Sequence, residues 1–188
     1  MIQNDKATIL VVDDDPFVLE SISGVLNKCG YCVLSSGTAG EAIAHLQGDN
    51  IDVVLTDIMM PDVSGIQLLE RIHNHDHDKE IPVILMTAYA ELDTAIDAIK
   101  KGAFDFITKP YKIEHLISVV AKAVKYNRAI QMEESYKHAL EGTVMDRTQE
   151  LTDALTMVKD MSREITARLT AAAEYRDTDT GAHISRIG

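Results

Sequence analysis

Five polar side chains that follow apolar runs have the types needed to handle a phosphoryl group: Asp13, Asp14, Asp57, Thr87 and Lys109. Carboxylates that gather at one place repel one another unless a cation lies between them, and Mg²⁺ suits such oxygen ligands. We expect Lys109 to pair with Asp57 in an empty site and with phosphate oxygens in a filled one, and Thr87 to donate its hydroxyl to the same oxygens. An aspartate that attacks phosphorus forms an aspartyl phosphate, so we predict phosphoryl transfer onto Asp57.

Short apolar segments precede these residues in the chain. Residues 8–12 lead to the first acids, 53–56 to Asp57, 82–86 to Thr87 and 104–107 to Lys109. Runs of β-branched and aliphatic residues without polar alternation are typical of strands buried on both faces. Residues 31–34 form a further predicted strand, so the sequence predicts five.

Helical patterns separate the predicted strands. The first helix begins near Pro16 and ends at Gly30, the second opens at Thr38, the third follows Pro61, the fourth ends at Gly102, and the last begins near residue 113. Successive strand-helix units require a parallel sheet, because each crossover is right-handed. We predict an α/β fold with a five-stranded doubly wound parallel sheet of order 2-1-3-4-5.

That strand order decides which side chains meet. The first and third strands are neighbours at the switch point, where ligands bind outside the carboxyl ends of the strands. Asp13 and Asp14 therefore lie beside Asp57, and Thr87 and Lys109 lie on the next two loops of the same edge.

The composition argues against several classes of protein. The chain has 188 residues and a net charge of -12, whereas a nucleic-acid-binding surface needs clustered basic residues. No apolar run approaches the roughly 20 residues that span a bilayer, and the polar start is no signal peptide, so we expect no membrane contact and a cytoplasmic location. Cys29 and Cys32 form a Cys-x-x-Cys that closes a helix instead of opening one, which argues against a redox or metal role.

Four motifs resemble the receiver domain of two-component response regulators, over roughly residues 5 to 125. They are Val-Val-Asp-Asp-Asp-Pro at 11–16, Asp-Ile-Met-Met-Pro at 57–61 with Gly65, Met-Thr-Ala at 86–88, and Lys109-Pro110. The resemblance implies a flavodoxin-like fold that receives a phosphoryl group from a histidine kinase or a phosphotransfer protein.

The same resemblance implies a role for each residue of the site. Asp57 is the phosphoacceptor; Asp14 ligates Mg²⁺ directly, Asp13 through a water and Met59 through its main-chain oxygen. Thr87 and Lys109 hold the phosphoryl group, and the Lys109-Pro110 bond is cis. Thr87 and the aromatic Phe106 form the switch that reads phosphorylation. We also expect apolar Met59 and bulky Tyr89 to hinder water near the phosphoryl group.

Two other interpretations of these motifs deserve weight. Haloacid-dehalogenase-like phosphohydrolases also use an aspartate nucleophile, in an Asp-x-Asp motif after the first strand. Asp57-Ile58-Met59 lacks this motif, whereas Asp13-Asp14-Asp15 formally contains it without the rest of that family's pattern. Acidic turns and Lys-Pro pairs are also ordinary caps and strand ends.

His73, His75 and His77 lie between the third helix and fourth strand, away from the acidic edge, so we interpret them as a solvated polar segment and not as a metal site.

The last predicted helix has the composition to continue far beyond the sheet. From residue 113 there is no proline, and Gly142 is the first glycine. Heptad a positions are nearly all apolar and d positions are poorer; the a positions are Ile130, Lys137, Val144, Leu151, Val158, Ile165 and Ala172. This predicts an imperfect parallel coiled coil, best between residues 151 and 169, in which Gly142 is a weak point. A single amphipathic helix packed on another surface is the alternative.

The final stretch, residues 171–188, resembles the opening of an HD-GYP domain, a metal-dependent phosphodiesterase of cyclic di-GMP. The resemblance implies that His183 is a metal ligand and puts Asp179 where that family typically has glutamate. The His-Asp pair and the Gly-Tyr-Pro motif that name the family are absent from the chain. We therefore expect the only chemistry of this chain to be its own phosphorylation and dephosphorylation.

These patterns predict three regions: a receiver at 1–125, a helical coiled-coil linker at 126–170 that forms a homodimer, and the truncated start of an HD-GYP-like output domain at 171–188. The signal is expected to pass from the switch residues to the linker. The competing hypothesis is a receiver-like dimerisation scaffold that takes no phosphate.

Overall fold

The computed structural model describes residues 6–74, 80–88 and 97–184, with side chains described as far as residue 173. Several predictions fall beyond these limits. His75, His77 and Tyr89 lie outside the described residues, and so do the side chains of Asp179 and His183.

Five parallel strands form one sheet of order β2-β1-β3-β4-β5, as predicted. The strands are β1 (Thr8–Val12), β2 (Cys32–Ser36), β3 (Val53–Asp57), β4 (Val83–Thr87) and β5 (Asp105–Thr108). β1 and β3 are paired at the centre, with Val12 opposite Thr56. The residues that follow β1, β3, β4 and β5 therefore share one edge of the sheet.

Three helices connect the first four strands, and a long helix follows the last. They are α1 (Pro16–Lys28), α2 (Ala39–Gly48), α3 (Gly65–Asn74) and the C-terminal helix (Ile113–Ile184), while residues 97–100 are also helical. Asp15 caps α1 by accepting from the amide of Phe17 at 2.9 Å, and Thr38 caps α2 by accepting from the amide of Glu41 at 3.2 Å. These caps satisfy amides that the first turn of a helix leaves without intrahelical partners.

The sheet separates two apolar cores, because successive side chains of each strand point to opposite faces. One core packs β-strand residues against α2, α3 and the helical residues 97–100; its members include Leu10, Val54, Leu85, Leu46, Leu68 and Ala98. The other packs the alternate strand residues against α1 and the start of the C-terminal helix; its members include Ile9, Leu55, Ile84, Leu26, Leu116 and Val120. Burial on both faces explains the continuous apolar runs of the strands.

The bounds of the second strand differ from the prediction, and the predicted weak point of the last helix does not interrupt it. The second strand begins at Cys32 and continues to Ser36, because its ladder with β1 runs from Thr8 opposite Cys32 to Val12 opposite Ser36. The C-terminal helix passes through Gly142 without interruption. A Cβ built on that glycine would have no atom within 4 Å beyond the neighbouring turns of its own helix, so no packing contact requires a glycine there and its effect on the helix is its intrinsically low helix propensity.

The chain divides into two compact units, Met1–Glu133 and Glu134–Gly188. The second unit is helical as far as residue 184, and every side chain described from 134 to 173 is exposed. Large apolar side chains are among them: Leu140, Val144, Leu151, Leu155, Val158, Met161, Ile165 and Leu169. Among the described residues, no helix is both long enough and apolar enough to cross a membrane.

Candidate functional site

The carboxylates of Asp13, Asp14 and Asp57 come together at the carboxyl edge of β1 and β3. One oxygen from each lies within 4.8 Å of the others. Asp13 and Asp57 are buried, with 1% and 8% of their surfaces exposed, whereas Asp14 is exposed. The predicted convergence of these acids is what the strand order produces.

Lys109 reaches into this cluster from the end of β5. Its Nζ lies 2.8 Å from Asp13 Oδ2 and 3.2 Å from Asp57 Oδ1. One ammonium group thus serves two buried carboxylates. Since three carboxylates face one lysine, the site keeps an excess of two negative charges.

Main-chain hydrogen bonds join neighbouring strands just beyond their ends and so fix the loops that carry the site. The amide of Asp13 donates to Ser36 O at 3.2 Å, and the amide of Lys109 donates to Thr87 O at 2.7 Å. The amide of Ile58, directly after Asp57, donates to Met86 O at 2.8 Å. The main chain that carries Asp13, Asp57 and Lys109 is therefore anchored to a neighbouring strand.

Both oxygens of the Asp13 carboxylate are already engaged. Oδ1 accepts from the amide of Asp15 at 3.0 Å, and Oδ2 accepts from Lys109. The turn that caps α1 therefore also orients Asp13. The amide of Asp15 donates to the Asp13 carboxylate, and the Asp15 carboxylate accepts from the amide of Phe17 in the first turn of α1.

Gly65 allows α3 to begin directly against the end of β3. Its amide donates to Ile58 O at 3.0 Å. A Cβ built on Gly65 would lie 2.1 Å from Asp57 O and 2.9 Å from the carbonyl carbon of Asp57. No side chain fits there unless the main chain of the candidate nucleophile moves.

Burial governs the electrostatics of Asp57. Desolvation raises the pKa of its carboxyl above the usual 3.8, and the charge of Asp13 adds to that rise; Lys109 and the amide of Ile58 oppose it by lowering the pKa. The pKa of Lys109 is affected in the reverse sense: burial lowers it, but the bonds and charges of Asp13 and Asp57 outweigh burial and raise it. The lysine therefore stays charged at neutral pH.

Thr87 and Phe106, the predicted switch residues, share one face of the sheet. Thr87 is 3% exposed at the end of β4, and Phe106 is half-buried in the core that contains Leu85. Leu85 is paired with Phe106 in the ladder, and Thr87 follows Leu85 by two residues, which puts Thr87 on the same face. The Lys109-Pro110 bond is cis, as the resemblance implied.

The two cysteines and His73 lie apart from this site, whereas Met59 lies beside it. Cys29 follows the end of α1 and Cys32 begins β2, and both are exposed free thiols. His73 lies in the last turn of α3, against Gly102. Met59 follows the site and exposes 64% of its surface.

Sequence reasoning missed two residues that shape the molecule. It quoted Gly65 only with the motif at 57–61, although a glycine at the start of the helix that follows β3 is a signal for close approach of main chain. It also overlooked Asp52, which precedes β3 and receives side-chain hydrogen bonds from the C-terminal helix.

The acidic cluster fits a divalent cation by its chemistry. All three ligand groups are carboxylates, which are the hard oxygen ligands that Mg²⁺ prefers, and their excess negative charge favours a cation. Asp14 and Asp57 are the candidates for direct ligands, since both oxygens of Asp13 already accept hydrogen bonds.

The fold and the site define a doubly wound α/β protein with an acidic pocket at its switch point. The family model of the response regulator receiver domain matches residues 9–121. The chain belongs to the response regulator receiver family. Receiver domains generally bind Mg²⁺ at an acidic pocket and interact with histidine kinases or phosphotransfer proteins.

Solved structures agree with this assignment. A response regulator receiver domain protein from Clostridium thermocellum is 32% identical, with a TM-score of 0.61, and the match covers 66% of this chain and 98% of that one. The signal receiver domain of a putative LuxO repressor protein from Vibrio parahaemolyticus is 26% identical, with a TM-score of 0.65, over 69% of this chain and 98% of that one.

Curated relatives are longer proteins. The phosphoglycerate transport system transcriptional regulatory protein PgtA of Salmonella typhimurium is 34% identical over 133 residues, which are 71% of this chain and 32% of that protein. A cyclic di-GMP phosphodiesterase of Thermotoga maritima is 30% identical over 182 residues, which are 96% of this chain and 48% of that protein. The chain thus spans less than half the length of each of these relatives.

Proposed function

We propose that this chain is the phosphoacceptor part of a response regulator, which takes a phosphoryl group from a histidine kinase or phosphotransfer protein onto Asp57 with Mg²⁺. The observation that carries the proposal is the shared lysine: Lys109 contacts Asp13 and Asp57 together, where three carboxylates meet. Such a site combines a nucleophile, cation ligands and a phosphate-binding ammonium group.

Each residue has a separate task in the proposed transfer. Asp57 would attack phosphorus while the bond from phosphorus to the donor breaks, and the donor would leave with that electron pair. A bound Mg²⁺ ion would neutralise charge on the phosphoryl oxygens. Asp14 and Asp57 would hold that ion directly, Asp13 through a water and Met59 through its main-chain oxygen. Lys109 and Thr87 bind the remaining phosphoryl oxygens.

The test uses a small phosphodonor, because it removes the need to know the partner kinase. The chain is incubated with acetyl phosphate and Mg²⁺, and the intact mass is measured. Uptake of one phosphoryl group that peptide mapping assigns to Asp57 supports the proposal. No uptake would favour the competing function, a receiver-like dimerisation scaffold.

We also propose that Met59 protects the phosphoryl group from water. Met59 is exposed beside the site, and its apolar side chain offers no polar group that could orient an attacking water. Met59→Asn should shorten the lifetime of the phosphorylated chain several-fold, as followed by the loss of the phosphorylated mass after the phosphodonor is removed. Met132→Asn, a change at an exposed methionine outside the site, is the control. An unchanged lifetime in Met59→Asn would contradict the proposal.

The exposed apolar residues of the C-terminal helix support a homodimeric coiled-coil linker that carries the signal. Val158 and Ile165 occupy the same heptad position and are both more than half exposed. Val158→Glu combined with Ile165→Glu should convert the dimer to a monomer in sedimentation equilibrium, since charges would meet in the seam.

Thr156→Glu with Thr170→Glu is the matched control, because both residues lie at the outer heptad position and the pair adds the same two negative charges. A dimer in both double variants would contradict the coiled coil. If phosphorylation changes neither the oligomeric state nor cross-linking through cysteines introduced in the linker, the linker is not the transmitter.

We further propose that the complete protein has an HD-GYP output domain, of which residues 171–188 are the opening, with His183 and Asp179 as metal candidates. The alignment with the Thermotoga phosphodiesterase supports this, because its 182 residues extend beyond the receiver. Hydrolysis of cyclic di-GMP by the protein extended past Gly188, and not by residues 1–188, is the expected result. An extension without this activity would contradict the proposed output.

A further inference from the structure

The Asp52 carboxylate lies at the amino-terminal edge of the sheet, opposite the edge that carries Asp57. Its Oδ2 accepts from the amide of Thr8 at 2.8 Å, and its own amide donates to Thr8 O at 2.9 Å. These two bonds hold Asp52 on the start of β1. Its side chain is therefore part of the sheet framework and not of a free loop.

The other oxygen of Asp52 accepts two bonds from the C-terminal helix. Asn127 Nδ2 lies 3.1 Å and Gln131 Nε2 lies 3.4 Å from Asp52 Oδ1. Asn127 and Gln131 are four residues apart, so they lie on the same face of the helix, one turn from each other. One carboxylate thus links the sheet to two consecutive turns of the helix.

The buried face of this helix changes from apolar to polar at this point. Leu116, Val120 and Val124 fill the core, and the next position on the same face is Asn127, which is only 1% exposed. Gln131 is half-buried, and every side chain described from 132 to 173 is exposed. A buried amide is costly without a hydrogen-bond partner, and Asp52 is a partner for Asn127.

We infer that Asp52 is a docking residue that makes helix residues 126–133 a structural part of the receiver and sets where the linker begins. Hydrogen bonds from two amides to one carboxylate select a single rotation of the helix about its axis, which apolar contacts alone do not. A shift by one residue would rotate the helix by about 100° and remove both amides from Asp52. The inference goes beyond phosphoryl transfer and holds whether or not Asp57 accepts phosphate.

Amide hydrogen exchange on the whole 188-residue chain tests this docking. Asp52→Ala should accelerate exchange at residues 126–133 by about tenfold or more, while residues 116–124 keep their protection, because only the last turns lose their anchor. Asp49→Ala is the matched control, since Asp49 is an acid that pairs with His45 near the protein surface. Unchanged exchange at 126–133, or equal acceleration in the control, would overturn the inference.

A second variant separates docking from general loss of stability, since Asp52 also binds Thr8. Asn127→Leu keeps the branched shape of the buried side chain but removes its hydrogen bond, and it should accelerate exchange in the same residues. The double variant Asp52→Ala with Asn127→Leu should accelerate exchange by much less than the two single effects combined, because both substitutions remove the same Asp52–Asn127 hydrogen bond. Wild-type protection in Asn127→Leu, or full additivity in the double variant, would overturn the inference.

Discussion

Asp57→Asn is expected to abolish phosphorylation by acetyl phosphate and Mg²⁺ while raising the thermal stability of the chain in the absence of metal. The first effect follows because an amide cannot attack phosphorus to form an aspartyl phosphate. The second follows because the substitution removes a buried negative charge beside Asp13 and leaves the 2.8 Å bond between Lys109 and Asp13 in place.

The direction of the stability change follows from the pKa of Asp57. Burial raises that pKa above 3.8, so the folded chain binds the proton more tightly than the unfolded chain. Above both pKa values the ionised carboxylate costs stability, and this cost disappears as the pH falls through the folded-state value toward 3.8. Above the folded-state pKa the cost is fully present, so its removal should raise the melting temperature measured at such a pH by a few degrees.

Calorimetry in the presence of a chelator and intact-mass measurement with acetyl phosphate check the two halves of this prediction. Asp49→Asn, which makes the same change at a more exposed acid, should alter neither phosphorylation nor melting temperature appreciably. Phosphorylation of Asp57→Asn at the wild-type level would show that another residue is the acceptor. A lower melting temperature would show that Asp57 stabilises the pocket through Lys109 more than its burial costs.

Gly65→Ala is expected to destabilise the chain by about 2–4 kcal/mol, which is large for the addition of one methyl group. The added Cβ would lie 2.1 Å from Asp57 O and 3.1 Å from Ile58 Cα, and both are main-chain atoms that cannot rotate away. Either α3 or the end of β3 must move, and the hydrogen bond from the amide of Gly65 to Ile58 O would lengthen. The phosphorylation rate should fall with stability, because Asp57 is part of the displaced main chain.

Gly24→Ala is the matched control because it makes the same chemical change inside α1, where nothing lies within 4 Å of the new Cβ. It should stabilise the chain by roughly 0.5–1 kcal/mol, as expected for alanine in place of glycine within a helix. Urea unfolding of both variants measures these free energies. If Gly65→Ala were as stable as wild type, the close approach of α3 to β3 would not be required by the fold.

The sequence predicted the sheet well because burial on both faces leaves continuous apolar runs, and the alternation of strands and helices indicated a doubly wound sheet, whose five-stranded order is 2-1-3-4-5. The convergence of Asp13, Asp14 and Asp57 followed in turn, since it depends on which strands are neighbours and not on side-chain detail. The boundaries of β2 were less predictable, because Ser35 and Ser36 join the sheet through main-chain bonds that their polar side chains do not suggest.

Other features depend on distances that no local pattern encodes. The bonds from Asn127 and Gln131 to Asp52 join residues 75 and 79 positions apart, and a polar residue on a helix reads as exposed until its partner is known. The requirement for glycine at position 65, where an added Cβ would lie 2.1 Å from Asp57 O, likewise depends on how closely α3 packs against the end of β3. The sequence predicted that Lys109 pairs with Asp57, and the structure shows that it contacts Asp13 as well. The sequence does not show which of several converging acids a lysine reaches.

The main-chain bonds that join the ends of β1, β3 and β5 to their neighbouring strands have a thermodynamic consequence for binding. Asp13, Ile58 and Lys109 each donate an amide hydrogen bond to the adjacent strand, so the backbone around the pocket is already ordered. A ligand that enters such a pocket does not have to restrict the protein backbone, and association loses little conformational entropy on the protein side. Most of the entropy lost on binding is then that of the ligand and of the water it releases or retains.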